Sequence, residues 1–176
     1  ATPSKENGFD IEGLAVKDGH LFLGLRGPVL RGWAVVLELD LRVDKRGRLK
    51  PRRRSGRGDR YLKHFLPLGG LGIRDLRFDG DDLLVLAGPT MDHDGTGALY
   101  RWRRPISAGD HRLHGADELV RLMDLPYDRG RDQAEGIAFL DTNGRRQLLV
   151  VHDSPMPERV IDGGKGIVAD LYDLDG

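Results

Sequence analysis

The feature that most constrains this chain is an internal repeat. The segment FDIEGLAV at 9–16 recurs as LGIRDLRF at 71–78 and as QAEGIAFL at 133–140, so successive copies begin 62 residues apart. Each copy runs into a turn signal, Asp18-Gly19, Asp79-Gly80 or Asn143-Gly144, and then into an apolar run, LFLGL (21–25), LLVLA (83–87) or LLVV (148–151). Asp-Gly and Asn-Gly accept the positive φ of tight two-residue turns, so each copy predicts a β-hairpin. A proline follows at an equivalent place, Pro28, Pro89 or Pro155, and then a third strand at 33–41, 98–104 or 167–174. Fourth strands are predicted at 61–68 and 118–126. The second of these also sets Leu119, Leu122 and Met123 at helical spacing, and the repeat decides for a strand.

Four antiparallel strands repeated at a fixed period describe the blades of a β-propeller, with a β-sandwich as the alternative all-β architecture. The expected organisation is a partial propeller over 1–176, with blades at 9–70 and 71–130 and an incomplete blade at 131–176 that lacks its outer strand. Propellers close with about 4 to 8 blades. The missing blades are therefore expected from the same longer chain or from a second copy.

Composition narrows the function classes. Leu, Ile, Val and Phe supply 49 of 176 residues, enough for a packed core, while 25 Gly and 9 Pro interrupt any long helix. No apolar stretch approaches the ~18 residues of a membrane span. The absence of cysteine removes disulfides and thiol catalysis and leaves the compartment open. A net charge of +0 conceals a basic loop insertion at 42–60. That loop is expected to be a solvated insertion, and nucleic acid is its electrostatic alternative. Tyr61 alone is available nearby for base stacking.

In a propeller the entry to each inner strand and the loop between second and third strands share one rim. The entries carry Asp10 and Glu12, Arg74 and Asp75, and Asp132 and Glu135; the loops carry Arg26 and Arg31, Asp92, His93 and Asp94, and His152, Asp153 and Glu158. Glu12, Arg26, Arg74, Asp75 and Asp153 are the candidate ligand-binding residues, since carboxylates and guanidinium forks fix small polar ligands. Glu135 and His152 are the candidate acid/base groups. Asp92 and Asp94 are spaced so that one loop offers two oxygens to calcium. His20, His64, His111 and His114 fall in turns or outer strands and receive no role. Glycines 163, 164 and 166 lack phosphate-loop spacing and precede a strand.

The run FDIEGLAVKDGHLFLGLRGPVLRGWAVVLEL, together with IRDLRFDGDDLLVLAGPTMDHDG, AEGIAF and LLVVHDSP, resembles the bacterial DUF3616 family of domains of unknown function from about residue 8 to 174. The resemblance implies a β-propeller longer than this chain, with this sequence as its C-terminal half, and brings no established activity. Strand starts of the EGLA type also occur in propellers that bind calcium and cleave phosphoesters, esters or lactones, a likeness of fold only. The expected function is a module that binds a small ligand or partner at the channel mouth. A calcium-dependent hydrolase and nucleic-acid association through the arginine-rich loop are the alternatives.

Overall fold

A computed structural model describes residues 3, 6–53, 59–90, 95–106, 112–127 and 131–174. The regular structure of the described chain is nearly all β, arranged in several antiparallel sheets, and contains no α-helix. Among the described residues no helix is long and apolar enough to cross a membrane. The first sheet joins β1 (Asp10–Lys17), β2 (His20–Gly27), β3 (Ala34–Val43) and β5 (Leu62–Leu66), with the short β4 (Leu49–Pro51) folded back on β3. The second joins β6 (Gly72–Asp79), β7 (Asp82–Gly88), β8 (Ala98–Trp102) and β10 (Leu119–Asp124). The third joins β11 (Gln133–Thr142), β12 (Arg145–Asp153) and β15 (Asp170–Asp173).

The hairpins form where the turn signals stand. Asp18 and Gly19 have φ of 51° and 80°, and Asn143 and Gly144 have 50° and 75°, the two positive values that a right-twisted two-residue hairpin requires. In the second sheet Asp79 pairs with Asp82, so the turn is Gly80-Asp81, one residue later than the Asp-Gly signal suggests.

The sheets stack face to face around β6 and β7. Leu83, Val85 and Ala87 enter a core shared with Phe22, Val36 and Ile73, while Leu84 and Leu86 enter a second core with Leu148 and Val150. A strand buried on both faces loses the alternation of a half-buried one. That is why LLVLA reads as an unbroken apolar run. The first sheet comes close to the second through glycine: a Cβ on Gly24 would lie 2.4 Å from Ile73 Cγ2.

Three expectations change. Residues 167–174 do not form one strand, because Gly166–Ile167 (β14) pairs with Val160–Ile161 (β13) in a separate ribbon and only β15 joins the third sheet. The basic insertion is not wholly a loose loop: Asp44 accepts the backbone N–H groups of Arg46 and Arg48 at 2.8 and 3.0 Å and turns the chain into the β3–β4 hairpin. Finally β5 is not an edge. Arg112–Leu113 (β9), from the connection within the second sheet, pairs with it in parallel and clasps the first two sheets together.

Candidate functional site

Each of the strands β1, β6 and β11 carries a β-bulge near its start. Ile11 and Gly13 face the consecutive residues Leu25 and Gly24, Ile73 and Asp75 face Ala87 and Leu86, and Ala134 and Gly136 face His152 and Val151. The extra residues are Glu12, Arg74 and Glu135. A bulge bends its strand and re-aims the unpaired side chain. Here the three extra side chains meet.

Arg74, only 5% exposed, is the centre. Its Nη1 donates to Glu12 Oε2 at 3.1 Å and to Glu135 Oε1 at 2.8 Å, and its Nη2 donates to the Pro89 carbonyl at 2.7 Å. Arg26 Nη1 donates to the other Glu12 oxygen at 3.1 Å and lies 3.8 Å from Asp10. Its buried Nε has no acceptor among the described residues. Burial pushes the Glu135 carboxyl above the ordinary range; Arg74 opposes this shift, and the charge of Glu12 adds to it. Glu135 therefore holds a proton more readily than a free glutamate. A recess with room for about one water opens beside Arg74 and Glu135, lined also by Pro89, Tyr127 and Gln133.

Asp75 stands next to this cluster with a different task. Its Oδ1 accepts the Leu76 N–H and its Oδ2 the Ile137 N–H, both at 2.8 Å, which ties β6 to β11. Burial raises its proton affinity although both N–H bonds favour the carboxylate. It is a staple between sheets.

His152 joins another network. Its Nδ1 is 3.0 Å from the Asp132 carbonyl and its Nε2 is 2.9 Å from Asp170 Oδ2, so both ring nitrogens are engaged inside the fold. Arg159 binds the same carboxylates, with Nε on Asp132 at 2.7 Å and Nη1 and Nη2 on Asp170 at 2.7 and 2.8 Å. Asp153 Oδ1 accepts the Ser154 N–H at 2.8 Å. Asp92, His93 and Asp94 lie outside the described residues. Among the described residues no three His, Asp or Glu side chains are grouped to hold a metal ion.

A family model described as "Protein of unknown function (DUF3616)" matches residues 1–170. The chain belongs to the DUF3616 family. No curated protein and no solved structure matches it.

Sequence reasoning passed over a second polar group in this DUF3616 chain. Glu38, wholly buried on β3, takes His20 Nδ1 on one oxygen and His64 Nε2 on the other, each at 2.8 Å. His64 Nδ1 lies 3.0 Å from His114 Nε2, and His114 Nδ1 lies 3.0 Å from Glu118 Oε2. The available signal was Glu38 itself. It stands in the apolar run WAVVLELDL, where a buried carboxylate must find partners.

Proposed function

We propose that this chain is three stacked units of a β-propeller whose rim, at the bulges of β1, β6 and β11, binds a small ligand that donates hydrogen bonds, cationic in preference to anionic. The observation that carries this reading is the bulge itself, used at the same point of three repeated strands to bring Glu12, Arg74 and Glu135 within hydrogen-bond reach. Charge sets the preference. Arg74 spends both Nη1 donors on Glu12 and Glu135 and one Nη2 donor on Pro89, and Asp10, Glu12, Glu135 and nearby Asp153 outnumber Arg26 and Arg74. An anion meets a field of its own sign there; an ammonium group meets carboxylate oxygens.

Apolar side chains on the outer faces of the end sheets support the propeller reading. Leu14 and Val16 are 58% exposed on the first, and Leu140, Val151 and Leu171 are exposed on the third. Further sheets, from a longer chain or a second copy, would cover those faces as β6 and β7 are covered within the stack.

A second reading rests on the raised proton affinity of Glu135, which suits a general acid in phosphoester, ester or lactone hydrolysis. One set of experiments separates the two. Calorimetric titration with small primary amines, polyols and phosphate is expected to give heat with amines, weakened about tenfold in Glu135→Gln, a loss of about 1.4 kcal/mol. Binding of phosphate alone overturns the charge assignment. Turnover of phosphoesters or lactones that requires calcium and disappears in Glu135→Gln establishes the hydrolase instead.

A further inference from the structure

The line His20–Glu38–His64–His114–Glu118 shares no residue with the rim and can be read by counting protons. A carboxylate only accepts, and a neutral imidazole has one N–H and one lone pair. With both carboxylates ionised, their three contacts with the imidazoles use one N–H from each of the three rings: His20 Nδ1, His64 Nε2 and His114 Nδ1. Nothing is left for the contact of His64 Nδ1 with His114 Nε2 at 3.0 Å, where two lone pairs would face each other. One additional proton completes the line, and a second would set two N–H groups face to face.

Among the described residues the neighbouring charges are already engaged. On β3, Asp40 lies two residues beyond Glu38 and is 3.6 Å from Arg52. On β5, the Lys63 ammonium lies 5.8 Å from the Tyr61 ring centroid. On β9, Arg112 pairs with Glu118. Phe22 from β2 and Trp102 from β8 pack against the rings and carry no charge; Trp102 lies 4.6 Å from His114 and 5.1 Å from His64, centroid to centroid. His64 is wholly buried and His114 is 3% exposed.

The same line holds the clasp. His114 follows β9 directly, its N–H donates to the Phe65 carbonyl at 3.0 Å, and β9 pairs with β5 through only two residues. We propose that the line is a proton-counted latch, in which one proton shared by His64 and His114 holds residues 112–118 on the first sheet and a second proton releases them. Burial and the neighbouring His64 push His114 below the ordinary imidazole value, which suits a ring that accepts at Nε2. The sign follows. For this second proton, a depressed folded value gives stabilisation that is complete above the unfolded value of about 6.5 and is lost as pH falls through the folded one.

Histidine side-chain ¹⁵N spectra of the wild-type chain at pH 7.5 test the count. Of the four ring nitrogens of His64 and His114, three protonated and one bare are expected, or an averaged pair at the shared position; two bare nitrogens, or none, overturn the proposal. On lowering the pH to 5, hydrogen exchange at the His114 amide, corrected for its intrinsic rate, is expected to rise at least tenfold relative to Val85 in β7. An unchanged ratio overturns it. His114→Gln keeps a donor and an acceptor but cannot titrate, so its ratio is expected to stay flat over this range. Acid release that persists in that variant also overturns the latch.

Discussion

Gly72 shows how tightly single residues hold the rim. A Cβ there would lie 2.1 Å from the Arg26 carbonyl oxygen and 2.7 Å from Thr90 Cγ2, and the first of these is backbone that cannot rotate away. Gly72→Ala is expected to destabilise the chain by about 2 kcal/mol through overpacking, seen as a lower denaturation midpoint with an unchanged slope. The displacement also separates Arg26 from the entry to β6. At this scale the meeting of three side chains was legible: Glu12, Arg74 and Glu135 recur at one point of an apolar repeat, where a charge needs a partner. That Asp75 would staple two sheets was not legible, because its partner is the backbone N–H of Ile137 and no side chain marks it. The surroundings of His152 were not legible for a related reason. Its place after an apolar strand is equally consistent with a rim base and with an imidazole fixed by Asp132 and Asp170, and only the fold brings Asp170 within 2.9 Å.

Among the elements, the β13–β14 ribbon hangs on Arg159, whose side chain reaches Asp132, Asp170 and the Val168 carbonyl. The hydrogen bonds from Arg159 hold Asp170 well below the usual carboxylate range, with His152 adding to the shift. A depressed carboxylate contributes stability that is present above its unfolded value of about 3.9 and is lost as pH falls through the folded value. Arg159→Met is expected to cost about 3 kcal/mol near pH 7, because it leaves two partly buried carboxylates without their partner, and the cost shrinks towards pH 2. Chemical denaturation of both proteins across that range measures it. A cost independent of pH would show that packing, not charge, holds the ribbon. Hairpins were readable from Asp-Gly and Asn-Gly because turn chemistry is local. The β9 clasp was not, since two residues carry no periodicity and their partner lies about fifty positions away.

Across the whole molecule, Arg74 on the second sheet ties Glu12 on the first to Glu135 on the third, so the rim is one electrostatic unit spanning the stack. The repeat announced sheets of one kind, and the unbroken apolar run of β7 proves to be that of a strand covered on both faces. Neither could announce which polar residues would meet, because that depends on three bulges lying side by side. The direct test is a ¹³C titration of the side-chain carboxyls with a small primary amine at pH 7. Glu12 and Glu135 are expected to respond with one shared concentration dependence, transmitted through Arg74, while Asp132 and Asp170 stay still. Independent responses of Glu12 and Glu135, or an equal response at Asp132 and Asp170, would contradict a single shared site at the rim.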